Sequence, residues 1–482
     1  MITDQEGAII GGEIVKGDEI KVFNPSTGKV IASMPSLSGD DIEKAIDIAD
    51  EAFYKYSELP ARSRKKLLLR VSELITSENE NLAVTMSEES GRPIKSSRGE
   101  ILRTADIFKF AAWEMEHVLK GEFIPLELYD YPAGNDERIA ITVREPMGVV
   151  STITPFNFPG ASFAHKVATA LAVGNTVVHK PTKYTPLTQI KLSKLILKAG
   201  FPEGTINVVT GNSSMIGDII VDNNKIKLIS FTGSTNVGLD LASRAVKHGK
   251  RSIMELGGSD AEIILDDADI TKAVDAATFG RFDYAGQFCN STKKIIISKN
   301  IAEKVQKLIE EKLSKMTVGN ALKDETEIGP VISSDVVSKM STFLKDAEEN
   351  GNKIVFKKDV PKEGFFFSPT VVDINNLHSK IVEEEVFGPL LPIIKVDSDD
   401  ECISIINNSK FGLDTAIFSS NFSRAYKMAR KINVGTVVIN DTTRLRWDNL
   451  PFGGPKFSGI GRESISNTME EMTESKVISY HI

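Results

Sequence analysis

The chain has 482 residues, 41% hydrophobic and 26% charged, with 58 Lys plus Arg against 66 Asp plus Glu for a formal charge of -8. That length carries about three domains' worth of core without covalent staples, and mild acidity with no basic block argues against nucleic acid or a membrane surface as the main partner. Two cysteines, Cys289 and Cys402, exclude a disulfide framework and point to a reducing, cytoplasmic setting.

No apolar run approaches the ~20 residues that span a bilayer, and the stretch Met1 to Gly7 carries acids where a signal peptide carries basic residues. Residues 41–56 read as an amphipathic helix with Ile42, Ala45, Ile46, Ala49 and Phe53 on one stripe, and Ser38 suits its N-cap. The stretch from Arg62 to about His117 reads as mostly helical, broken at Gly91-Arg92-Pro93. From about residue 121 the texture changes, and Arg138–Arg144 alternates as a strand in a short excursion from the main body.

Between about 148 and 256, short apolar strands alternate with helices. Strand candidates begin at Val149, Thr176, Ile206, Leu228 and Ile253, and Pro186 opens a helix that Gly200 and Pro202 close. This is the rhythm of a doubly wound parallel sheet. A second alternating block runs from about 258 to 450, with strands near Lys294–Ile297, Leu391–Ile394 and Thr436–Ile439, and the last strand lies near Lys476–Tyr480. The expected fold class is α/β: two doubly wound α/β domains plus a small β ribbon.

Several residues stand out chemically. Strand Leu228–Phe231 runs into Thr232-Gly233-Ser234 and then a helix, a turn that suits a pyrophosphate or simply close packing. Lys180-Pro181-Thr182-Lys183 follows another strand, either as cations at the same sheet edge or as a solvated loop. Cys289, among small residues, reads as a buried hydrophobe or a nucleophile, whereas Cys402 reads as structural. Glu255 interrupts an apolar strand before two glycines, so it needs a partner or a raised pKa and a task as a base. Asn157, between aromatics and proline, reads as a turn amide or a donor. The six histidines form no pair at metal-ligand spacing, and no metal site is expected.

In order and spacing, Pro155-Phe156-Asn157-Phe158-Pro159, Lys180-Pro181, Phe231-Thr232-Gly233-Ser234, Glu255-Leu256-Gly257-Gly258, Gly286-Gln287-Phe288-Cys289, Glu384–Pro389 and Pro451–Glu463 resemble the aldehyde dehydrogenase superfamily over essentially the whole chain. The resemblance implies oxidation of an aldehyde to a carboxylate. Cys289 would form a thiohemiacetal and then a thioester, Asn157 would stabilise the oxyanion, and Glu255 would activate the hydrolytic water. Lys166 and Glu463 would form a proton route behind Glu255. The retained Glu255 favours hydrolysis over acyl transfer to coenzyme A.

The same resemblance implies a dinucleotide held by Thr154, Pro155, Phe156, Lys180, Thr182, Lys183, Gly211, Phe231, Gly233, Ser234, Leu256, Gly257, Glu385 and Phe387. Lys183 stands where NAD-preferring members carry Glu, so NADP is the preferred cofactor, with NAD possible. It implies a substrate site at Arg103, Phe158, Phe288, Asn290, Arg446 and Phe452. The loop Asn440–Asp448 and Arg103 resemble the branch acting on lactaldehyde and on glyceraldehyde 3-phosphate without phosphorylation, and Asn290–Lys294 after the nucleophile is unusual. A small hydroxyaldehyde or semialdehyde is expected. The arginines could equally be salt-bridge residues, and a succinate-semialdehyde-type enzyme or a catalytically silent protein of the same fold are the alternatives.

Three units are expected: residues 1–125 with 147–257 for the dinucleotide, 258–465 for catalysis, and 126–146 with 470–482 for homo-oligomer (dimer or tetramer) contacts.

Overall fold

A computed structural model describes residues 6–482, so the acidic stretch from Met1 to Gln5 lies outside it. Local signals set the helices. In α1 (Gly39–Tyr56), Ser38 accepts from the Asp41 N–H while Asp41 accepts from the Ser38 N–H, a reciprocal capping box. Ile42, Ala45, Ile46 and Ala49 of its stripe are fully buried, each isoleucine stabilising by roughly 2 kcal/mol. Helices α2 (Ala61–Ser77), α3 (Asn79–Ser90) and α4 (Ile94–Val118) follow. Gly91 stops α3 in the left-handed region at φ 74°, and Pro93 precedes α4.

The first sheet has eight strands in the spatial order Gly459–Ile460, Arg251–Glu255, Ile226–Thr232, Val149–Ile153, Thr176–Lys180, Ile206–Val208, Ala8–Ile10 and Glu13–Val15. Its five middle strands are parallel, and those at both ends are antiparallel. From Val149–Ile153 the chain winds one way through 176–180 and 206–208, then returns to lay 226–232 on the other side. The switch point therefore lies between Val149–Ile153 and Ile226–Thr232. Helix α5 (Ala161–Val173), buried along its whole length, packs among α2 and α4.

The second sheet has seven strands, in the order Lys353–Lys357, Thr370–Ile374, Leu390–Val396, Lys294–Ser298, Ala261–Ile264, Asp414–Phe418 and Thr436–Ile439. All its pairings are parallel except that of the first two. The ribbon is a three-stranded antiparallel sheet: Thr473–His481 beside Arg138–Pro146 beside Glu122–Ile124.

The expected boundaries differ from this in two places. Gly459–Ile460, assigned by sequence to the second unit, pairs with Met254–Glu255 as an edge of the first sheet. The ribbon's first strand begins at Glu122 rather than 126.

Candidate active site

The carboxyl ends of the first sheet face the amino ends of the second. Glu255 is the last residue of its strand, and Cys289 lies just ahead of strand Lys294–Ser298. The backbone leading to Cys289 is held in an unusual shape: Tyr284 (φ 48°), Ala285 (φ 52°) and Gly286 (φ 72°) are successive left-handed residues. A side chain at Gly286 would meet the carbonyls of Arg281 and Gly388 below 3 Å. Left-handed Tyr and Ala are strained and persist only where the surroundings dictate them. Here the buried Tyr284 hydroxyl donates to Ser90 O at 2.7 Å. The buried Arg281 guanidinium donates to Val386 O (3.0 Å), to Ser291 Oγ (3.1 Å) and to Gly388 O.

Two clefts meet at Cys289, which lines both, as do Phe158 and Arg446. The larger, about 830 Å³, opens at the switch point of the first sheet. Thr154, Pro155, Phe156 and Asn157 line it after one strand, and Phe231, Gly233 and Ser234 after its neighbour. Lys180, Thr182, Leu256, Gly257, Glu385 and Phe387 of the expected set line it too.

The residues present fit a dinucleotide. Helix Thr235–Lys247 starts at Ser234 with no side-chain cap, which leaves its first N–H groups for an anion. Lys180 is 7% exposed, yet its ammonium has only the Pro181 carbonyl at 3.3 Å, and burial lowers its pKa to about 8. It is a buried cation short of acceptors.

Two expected residues are not on the lining. Gly211, at φ 152°, packs against Leu37. Lys183 is exposed at the rim, its ammonium 5.2 Å from the ring of Tyr184, which does line the cleft and which sequence reasoning missed.

The second cleft, about 540 Å³, is lined by Arg103, Phe158, Asn290, Arg446 and Phe452 as expected, and also by Arg92 and Arg444. Phe288 is the correction. It is fully buried behind the lining, 4.9 Å from Phe158 and 5.6 Å from Tyr284. Being apolar, it packs as core and carries the Arg444 guanidinium at 3.3 Å from its ring centre.

Each of the four arginines faces a carboxylate. Arg103 meets Asp448 at 2.6 Å, Arg446 meets Glu463 at 2.8 Å, Arg444 meets Asp283 at 3.4 Å, and Arg92 pairs with Glu100. Asp448 also accepts from His165 Nε2 at 2.9 Å. Arg444 further donates to Asn290 Oδ1 at 2.9 Å. Arg103 and Arg446 are the arginines expected from sequence; for Arg92 and Arg444 the only signals are Gly91-Arg92-Pro93 as a helix break and the loop Asn440–Asp448.

At the junction, Glu255 and the Cys289 thiol are close enough to shift each other's titration, and the buried Glu255 Oε1 has no hydrogen-bond partner among the described residues. Burial and then Glu463 raise the Glu255 pKa, while Arg446 and Lys166 pull it back. Burial and then Glu255 push the thiol up, opposed by Lys293 and Arg446. Behind Glu255, Lys166 Nζ donates to Glu463 Oε1 at 2.5 Å, both fully buried. Burial works against ionisation of Glu463, but Lys166 and Arg446 hold its carboxyl well below the usual range. Among the described residues no cluster of His, Cys, Asp and Glu could hold a metal.

Residues 14–478 match the model of the Aldehyde dehydrogenase family. A lactaldehyde dehydrogenase of Methanocaldococcus jannaschii is 37% identical over 97% of this chain and 99% of its own. A 3-sulfolactaldehyde dehydrogenase of Priestia aryabhattai is 36% identical over 98% of each. The crystal structure of an NADP-dependent glyceraldehyde-3-phosphate dehydrogenase from Bacillus halodurans, complexed with NADP, superposes with a TM-score of 0.95 at 35% identity, over 99% of this chain and 100% of that one. The whole-chain comparisons place the thiol beside a carboxylate, at the meeting of two clefts, in a known setting: the chain belongs to the aldehyde dehydrogenase family and is an NAD(P)-dependent aldehyde dehydrogenase.

Proposed function

We propose that the chain oxidises a small hydroxyaldehyde to its carboxylate, with NADP as the preferred cofactor. The observation that carries this reading is the substrate cleft: four guanidinium groups offer donors to hydroxyl and carbonyl oxygens, while the facing carboxylates balance their charge. Such a wall suits a short polar substrate better than a fatty chain. The names of the relatives, lactaldehyde and 3-sulfolactaldehyde dehydrogenase, support it.

Thr154, Lys180, Gly233, Ser234 and Glu385 would hold the dinucleotide. When bound, the dinucleotide would supply the hydride acceptor needed to oxidise a Cys289-bound aldehyde to a thioester. Cys289 supplies the nucleophile, and the neighbouring Glu255 takes the thiol proton and releases it to solvent before hydrolysis, so that it is again a carboxylate when water attacks. The Asn157 amide and the Cys289 N–H stabilise the oxyanion, one such donor being worth ~3 kcal/mol. Glu255 then takes a proton from the hydrolytic water, with Glu463 and Lys166 as the next acidic and basic groups behind it. Lys183, a cation on the cleft's rim, favours a 2′-phosphate.

Phe123 (63% exposed), Val477 (62%) and Tyr480 (56%) face out of the ribbon, and strand Thr473–His481 is its open edge. An apolar edge of this kind is a liability in a monomer, which supports a homodimer or tetramer. Two free thiols, and no described helix long and apolar enough to cross a membrane, support a cytoplasmic site of action.

The test is reduced-cofactor absorbance with lactaldehyde, glyceraldehyde, its 3-phosphate, 3-sulfolactaldehyde, succinic semialdehyde and an alkanal, each with NADP and with NAD. Fastest turnover of lactaldehyde or glyceraldehyde with NADP is expected. Preference for succinic semialdehyde would overturn the substrate reading.

A further inference from the structure

Lys293 is a fully buried lysine four residues past the nucleophile for which the reaction above has no task. Its N–H donates to Asp260 O at 2.8 Å, anchoring it beside strand Ala261–Ile264. Its ammonium donates to the carbonyls of Phe288 (2.7 Å) and Cys289 (2.8 Å), with Gly258 O at 3.5 Å and Glu385 Oε1 at 3.4 Å. The Phe387 ring lies 5.4 Å away. An ammonium this deep is costly unless something requires it there.

We propose that Lys293 is a positioning residue for the nucleophile: it pins the Phe288 and Cys289 carbonyls, so that the Cys289 thiol and N–H face the junction of the clefts, and it sets under that loop a fixed positive charge that favours the thiolate. The inference rests on Cys289 being the nucleophile, which is checked separately by whether its alkylation abolishes turnover of the unsubstituted enzyme.

The surrounding charges leave this task to Lys293. The thiol faces Glu255, Arg446 and Arg444 besides Lys293. Glu255 works against the thiolate, and Arg446 is already paired with Glu463. Around Lys293 stand Glu385, Asp260 and Lys294. Asp260 provides little counter-charge, because burial and Asp414 drive its carboxyl well above the usual range. Among the described residues Glu385 is therefore the carboxylate that offsets the ammonium, and it also lines the dinucleotide cleft. Arg281 braces the same loop, but through Ser291, Thr292, Val386 and Gly388, away from the Cys289 carbonyl.

The experiment is the pH dependence of iodoacetamide inactivation of the full-length protein without cofactor. Mass spectrometry assigns the modification to Cys289 rather than to Cys402, which is 1% exposed. For K293Q the midpoint is expected to rise by about one unit, which makes alkylation at neutral pH about 10-fold slower. K293R, which keeps the charge, is expected to stay within about 2-fold of the unsubstituted rate. A K293Q profile that superimposes on the parent, whatever its melting temperature, would overturn the proposal and leave Lys293 a structural brace. So would K293R shifting as far as K293Q. If K293Q does not fold, E385Q decides: removing the offsetting carboxylate should lower the midpoint, and an unchanged midpoint overturns the proposal.

Discussion

The dinucleotide cleft and the substrate cleft share Cys289, Phe158 and Arg446 but little else in their construction. The first draws on main chain at two strand ends of a switch point, at glycines and at a helix N-terminus with open N–H groups, beside side chains such as Lys180 and Glu385. The second is made of side chains, with guanidinium groups from Arg92 to Arg446 each matched to a carboxylate from elsewhere in the chain. Main-chain recognition survives most substitutions around it. A buried ion pair does not, because losing one partner strands the other's charge, at a cost of about 3–5 kcal/mol. Substrate range should therefore be the easily altered property of this enzyme and dinucleotide binding the robust one.

The largest effect is expected where the clefts join. Glu255→Gln should lower steady-state turnover by roughly 10²- to 10⁴-fold, yet spare a burst of about one reduced cofactor per active site, seen by stopped flow. Because burial and Glu463 raise the Glu255 pKa, the base form is gained as pH rises. Turnover of the unsubstituted enzyme should climb with pH through that raised pKa, and E255Q should lose this limb. Full steady-state activity in E255Q would remove the base assignment.

A smaller effect sharpens the contrast between the clefts. Arg444→Met leaves Asp283 and Asn290 without their cation, and kcat/KM for a hydroxyaldehyde should fall roughly 10- to 100-fold. The Kd for NADP, measured by fluorescence titration, should not move. Weakened cofactor binding would mean the clefts are not independent. The smallest effect belongs to Lys183→Glu. The residue is exposed, so the NADP over NAD preference should drop by only about 5-fold, and an unchanged ratio would defeat the argument for NADP.

What the sequence discloses follows the same division. Helix α1 is written in residues a few positions apart, the Ser38–Asp41 box and the apolar stripe, and the middle strands in short apolar runs. Edge strands are not local facts: Ala8–Ile10 and Gly459–Ile460 become strands only because Ile206–Val208 and Arg251–Glu255 lie open beside them. The dinucleotide residues stand in motifs that fold as units, and most reach the cleft. Gly211 misses it and Lys183 stops at its rim, because a position in a turn does not say which way the turn faces.

The substrate cleft was the less legible. Arg103 and Asp448 are 345 residues apart, and Lys166 and Glu463 are 297 apart. No spacing rule links them: the family resemblance names Arg103, Lys166 and Glu463, but it gives no partner for Arg103 and leaves Arg92 and Arg444 out. Phe288 was misplaced for a related reason: beside the nucleophile in sequence, its ring turns the opposite way, under Arg444.

The short strand Gly459–Ile460 closes the first sheet against the strand that ends in Glu255, and Glu463 follows three residues later. During synthesis, more than nine-tenths of the chain must emerge before this segment can dock. Until then Lys166 and Arg446 lack the carboxylate that ties them together. A growing polypeptide thus carries Cys289 and Glu255 well before the buried Lys166–Glu463 pair can form, and the step that closes the edge of the first sheet is also the one that sets this pair behind Glu255.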